Sequence, residues 1–136
     1  MTKKMKKESG FTLVEMLIVV AIIAILIAVS IPLVSTSLEK ARKAVDDANM
    51  RSALALGNIY YLTESEKDFS VTDGVELYYD IENNEGFLVE GTDANKPEAY
   101  GKGKGNTDNV IMVTIEDTGT AGKAIVTADW VPGKTA

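Results

Sequence analysis

The sequence has no cysteine and no histidine. The first absence excludes disulfides, thiolate metal sites and cysteine nucleophiles. The second excludes histidine-based triads and imidazole metal ligands. Basic charge is scarce outside the first ten residues, and the formal net charge is −6. The body of the chain therefore lacks the basic stripe that nucleic-acid binding requires. No GxxxxGK loop occurs, so the chain has no phosphate cradle of that kind. These gaps point away from an enzyme and toward a structural or binding role.

What is present is unevenly distributed. Residues 11–34 hold 20 apolar side chains in 24 positions, and residues 16–29 are apolar throughout. As a helix, residues 13–33 are about 30 Å long, which matches one bilayer core. In front of this segment stand Lys3, Lys4, Lys6, Lys7 and Glu8, giving residues 1–10 a charge of +3. A basic leader before an apolar run fits an exported protein whose amino terminus stays on the cytoplasmic side. Two residues interrupt the run. Glu15 lies near its start, where a charge is costly if it reaches the membrane centre. Pro32 lies near its end, where it removes a backbone donor and can bend a helix.

Residues 35–63 read as the continuation of the same helix. Leu38, Ala41, Val45, Ala48, Ser52, Ala55, Leu56, Ile59 and Leu62 recur at three- and four-residue steps and form one apolar face. Lys40, Lys43, Asp47 and Arg51 fall mostly on the other face. Residues 75–81, 86–90, 110–116 and 124–130 are β-prone. Turns are expected at 82–86 and 117–122, and residues 91–109 read as a loop. Residues 63–136 hold too little apolar mass for an independent core, and a small sheet needs a cover for its apolar face. The expected fold class is α+β: a long amino-terminal helix packed through its apolar stripe on a small antiparallel sheet, with the greasy half protruding.

Around Gly10 the sequence Lys7-Glu8-Ser9-Gly10-Phe11-Thr12-Leu13-Val14-Glu15 resembles the type IV pilin family, pseudopilins included. The resemblance covers roughly residues 3–60, and Pro32 stands where pilins commonly carry a helix-disrupting proline. It implies four regions. Residues 1–10 are a leader, 11–34 a membrane and filament-core half-helix, 35–62 an amphipathic half-helix, and 63–136 a β-sheet region. It also implies cleavage by a prepilin peptidase between Gly10 and Phe11, and N-methylation of Phe11. Glu15, the fifth residue of the mature chain, would pair with the amino terminus of a neighbouring subunit. A buried pair of that kind specifies register more than it adds stability.

On this reading the chain is a non-enzymatic major pilin that polymerises into a homo-oligomeric helical filament. It needs an assembly platform and a separate ATPase, and no cofactor or nucleic acid. It would begin as a precursor in the cytoplasmic (inner) membrane and end in an extracellular pilus. The alternatives are a pseudopilin of a secretion or DNA-uptake system and a membrane-anchored binding module. An ordinary signal peptide cut after Ala28, Val29 and Ser30 is a further possibility, but it leaves Gly10 and Glu15 unexplained. Asp93, Asp108, Asn109 and Asp117 could be Ca²⁺ ligands, but they lack the order of a dedicated loop and read as solvated turns. The tyrosines at 60, 61, 78 and 79 and Trp130 read as packing residues. Asp46 and Asp47 read as exposed helix residues with no acid–base role. No Asn-x-Ser/Thr glycosylation signal occurs.

Overall fold

The computed structural model describes residues 10–64, 74–82, 87–119 and 123–134. The chain divides into two compact units, Met1–Leu38 and Glu39–Ala136. The helix α1 spans Leu13–Thr63 and includes Pro32 without ending there. Four strands follow: β1 (Val75–Asp80), β2 (Phe87–Glu90), β3 (Asn109–Asp117) and β4 (Ala124–Pro132). They form one sheet in the order β2-β1-β3-β4, antiparallel throughout. The α+β class expected from the sequence is the class observed, and each expected strand lies within two residues of its place. The turn at 82–86 falls almost wholly outside the described residues, as do residues 1–9 of the leader.

In the first unit the helix begins with a capping box. The Thr12 N–H donates to Glu15 Oε2 at 2.8 Å, and the Glu15 N–H donates to Thr12 Oγ1 at 3.2 Å. Each side chain thereby satisfies an amide that the first helical turn leaves without a carbonyl partner. From here to Leu38 every described side chain is exposed.

In the second unit the antiparallel register fixes which residues share a face. Val75, Ile115 and Val126 form one cross-strand row, Leu77, Val113 and Ala128 the next, and Tyr79, Ile111 and Trp130 the third. Leu77, Ile111, Val113 and Ile115 are fully buried. The helix meets this face through Ala53 and Gly57, both buried. Gly57 sets the approach: a Cβ there would stand 2.7 Å from Val113 Cγ1 and from Val126 Cγ1. Only a residue without a side chain lets the helix backbone come this close.

One expectation is overturned here. The stripe Ala41, Val45, Ala48, Ser52, Ala55, Ile59 and Leu62 is exposed, and of the expected face only Leu56 is drawn partly into the core. The face against the sheet instead contains Ala53 and Gly57, with Met50 and Tyr60 at its margin, while Asp46 is buried against the segment before β3. The physical reason is fit. Close helix-to-sheet packing selects small residues at the contact, so the larger aliphatics lie elsewhere on the helix.

Candidate functional site

Gly10 is exposed, with open space where a side chain would be. Phe11 is 81% exposed. The two residues therefore present an accessible backbone ahead of the capped helix. Glu15 belongs to the cap, so its carboxylate has an intrachain donor in the Thr12 N–H. It also lies in the first turn, where the helix dipole favours negative charge. The Thr-x-x-Glu spacing of this box is readable in the sequence, and it gives Glu15 a local partner besides the intermolecular one that the resemblance implies. Behind Glu15 the helix is long and apolar enough to cross a membrane.

Pro32 has no N–H to offer the carbonyl of Ala28. Hydroxyls cluster about it. Ser30 donates to the Leu26 carbonyl at 2.6 Å, and Ser35, Thr36 and Ser37 donate to those of Ile31, Pro32 and Leu33, each at 3.0 Å. Such back-bonding offers helix carbonyls a second donor and slightly weakens and bends a helix. It also keeps each hydroxyl satisfied in an apolar surrounding.

The second unit contains two polar anchors that the sequence reading missed. Asp46 is buried rather than exposed. It accepts from the Lys102 N–H at 2.8 Å, the Gly103 N–H at 2.8 Å and the Asn106 side-chain amide at 3.0 Å. Two turns earlier Glu39 Oε1 accepts from the Lys104 N–H at 2.6 Å. Two helix carboxylates thus hold the segment before β3 by its backbone. Burial pushes the Asp46 carboxyl pKa up, but the three hydrogen bonds and the nearby Lys102 charge outweigh it and hold it below its ordinary value.

Tyr100 is the second anchor. It is fully buried although it lies in a Gly-, Asn- and Lys-rich loop. Its hydroxyl donates to the Tyr79 carbonyl at 2.6 Å and accepts from the Ile111 N–H at 2.9 Å, so the phenol bridges β1 and β3. Its ring meets Tyr79 and Trp130 edge-on, with centroids 6.5 Å and 5.9 Å apart. Burial drives its pKa far upward, which keeps the hydroxyl a donor. The end of the chain is tied to the same loop. The Gly133 N–H donates to the Asp108 carbonyl and the Lys134 N–H to that of Pro97. With no cysteine available, these bonds and the Tyr100 packing hold the loop and the chain end.

None of these groups forms a reaction centre. Among the described residues no cluster of three acidic ligands could hold a metal. Of the residues weighed as Ca²⁺ ligands, Asp117 accepts from the Gly119 N–H within a turn, and the carbonyls of Asp108 and Asn109 accept backbone bonds. Tyr78 and Tyr79 are buried in the core, and Tyr60, Tyr61 and Trp130 pack against it, as expected.

Comparison with known proteins gives a consistent picture. Residues 5–31 match the family described as the prokaryotic N-terminal methylation motif. Two fimbrial proteins of Pseudomonas aeruginosa are 31% and 33% identical over 124 and 122 residues. Those alignments cover 90% and 88% of this chain and 78% and 72% of the relatives. The type IV wide pilus major component of Thermus thermophilus is 41% identical over 58 residues, 43% of this chain and 44% of its own. No solved structure matches.

Proposed function

This chain belongs to the type IV pilin family and is a structural protein rather than an enzyme, and from that premise we propose that it is the major subunit of a type IV pilus. The observation that carries the proposal is the apolar surface of residues 13–34, exposed on every side in the folded chain. Such a helix is stable only in lipid or among other apolar helices. A subunit that passes from a membrane into a filament core meets both conditions in turn. The names of the relatives, fimbrial protein and pilus major component, favour a pilus subunit over a pseudopilin.

On this proposal a prepilin peptidase cuts between Gly10 and Phe11, and Phe11 is then N-methylated. Removing residues 1–10 takes away their +3 charge and leaves −9 on the mature chain, all of it in residues 63–136. The precursor resides in the cytoplasmic membrane until the assembly platform, driven by its ATPase, adds it to the filament. Glu15 then exchanges its Thr12 N–H partner for the amino terminus of a neighbouring subunit. Pro32, with its surrounding hydroxyls, is the place where the helix can loosen on leaving the membrane. The mature subunit should begin at Phe11 on amino-terminal sequencing. A start at Ile31 would mean an ordinary signal peptide, and an intact Met1 an uncleaved anchor. Glu15→Ala should leave the protein in the membrane but sharply reduce filament yield; a normal yield would remove the role given to Glu15.

A further inference from the structure

The ten basic residues after Gly10 are not spread evenly. Lys40, Arg42 and Lys43 stand where the second half of α1 begins, and Lys102 and Lys104 alternate with glycine in Gly101-Lys102-Gly103-Lys104-Gly105. The fold brings the two groups together. Asp46 and Glu39 accept from the backbone N–H groups of Lys102, Gly103 and Lys104. A Cβ at Gly103 would stand 2.8 Å from Asp46 Oδ2 and 3.4 Å from Lys43 Cγ, so the loop lies directly on this turn of the helix. At about 100° per residue, Lys43 is on the side that bears Glu39 and Asp46, and Lys40 and Arg42 flank it. All five basic side chains are exposed, whereas Asp46 is buried and Glu39 half-buried against the loop backbone. Besides these two, only Asp47 is acidic here. The rest of the chain after Gly10 holds five basic and 16 acidic residues, so the charge balance reverses at this cluster.

We propose that Lys40, Arg42, Lys43, Lys102 and Lys104 seat the headgroups of anionic phospholipids on the outer face of the membrane. The inference rests on the reading that residues 13–34 cross that membrane with the leader on the cytoplasmic side. Lys40 and Lys43 follow Val34 by six and nine residues, about 9 and 14 Å of helix rise. The headgroup layer extends roughly 5–8 Å beyond the hydrocarbon, and long basic side chains reach back to it with their charged ends. The loop lysines are held at the same level because their backbone is bound to Glu39 and Asp46. Basic clusters next to a membrane span are attracted by anionic lipid, and the acidic remainder of the unit is repelled by it. Attachment is therefore confined to this end. At the other end Lys123 shares a cleft with Tyr61 and Leu62, 18 residues along α1 from Lys43 or about 27 Å. Entry into a filament then has to break the headgroup contacts as well as remove the apolar segment from lipid.

The test reconstitutes the full chain, at a low protein-to-lipid ratio, into phosphatidylcholine vesicles and into vesicles with about a third of that lipid replaced by phosphatidylglycerol. Lysine acetylation, read residue by residue by mass spectrometry, should slow about fivefold at Lys40, Lys43, Lys102 and Lys104 in the anionic vesicles. Lys123 should not change. Raising the ionic strength to about 1 M should restore the rates. Equal rates in the two vesicles, or the same slowing at Lys123, would overturn the seat while leaving the membrane reading intact. Slowing in neutral vesicles that appears only as the protein-to-lipid ratio rises would give the cluster to the acidic surface of another copy, and would also overturn it. A chain that does not float with either vesicle would overturn the membrane reading and this inference together. Lys102→Gln combined with Lys104→Gln keeps the N–H groups that Asp46 and Glu39 accept from, so the loop stays in place. In anionic vesicles this variant should return the Lys43 rate toward its neutral-vesicle value. A Lys43 rate as slow as in the unaltered chain would contradict a seat shared between helix and loop.

Discussion

Residues 13–34 and the unit Glu39–Ala136 solve the problem of apolar surface in opposite ways. The first stretch is apolar all round and buries none of its side chains within the chain. The second is mixed in composition, yet it encloses Leu77, Tyr100, Ile111, Val113 and Ile115 almost completely. The hydrophobic effect acts on both with the same strength per unit area. In the second unit it contributes to the stability of the subunit. In the first it can act only between molecules, which on the proposed function are lipid and then other copies. Subunit stability and filament assembly should therefore respond to different substitutions.

The largest effect on the subunit should come from its core. Ile111→Ala removes a fully buried side chain and should cost about 2–5 kcal/mol, read by calorimetry of the detergent-solubilised chain. Its counterpart Ile22→Ala, at a position 53% exposed, should change that stability by less than about 0.5 kcal/mol. Equal losses would break the comparison. Next in size is Asp46→Ala, which leaves the Lys102 and Gly103 N–H groups without their carboxylate. It should cost about 3 kcal/mol and raise amide exchange at residues 101–106. Tyr100→Phe removes the bridge between the Tyr79 carbonyl and the Ile111 N–H and should cost about 1–2 kcal/mol, measured by denaturant unfolding.

A pH titration sharpens the same contrast. The Asp46 pKa is lower in the folded chain than its ordinary 3.8. Its contribution is thus fully present above the unfolded value and is lost as pH falls through the folded one. Acid should loosen the 101–106 segment, and Asp46→Asn should flatten that part of the stability profile. The smallest effect is expected at the first turn. Thr12→Ala removes half of the capping box and should cost about 1 kcal/mol of local helix stability, seen as faster amide exchange at residues 12–16. The core of the second unit should be untouched.

The long helix, the strand positions and the family resemblance carried by residues 7–15 were legible because each rests on local pattern: unbroken apolar residues, alternation and a short motif. The helix face against the sheet was not. A hydrophobic stripe says that a surface needs cover, and it does not say which molecule provides it. Here the sheet selected Gly57 and Ala53 for closeness, and the aliphatic stripe was left exposed. Asp46 misled for a related reason, since a helix carboxylate ordinarily faces water and its three donors come from a loop 56 to 60 residues away. Tyr100 sits among residues that compose a solvated loop, and nothing local marks its ring as buried. The Thr12 and Glu15 cap, by contrast, could have been read from spacing alone.

The division of labour between the two regions is tested most directly by electron microscopy of the material sheared from cells expressing the full chain with its peptidase and assembly machinery. Long filaments labelled by antibody to residues 63–136 are the predicted result, because residues 13–34 would then be covered by other copies. A sheared fraction without filaments, with all of the chain remaining in the membrane as single subunits, would contradict the account.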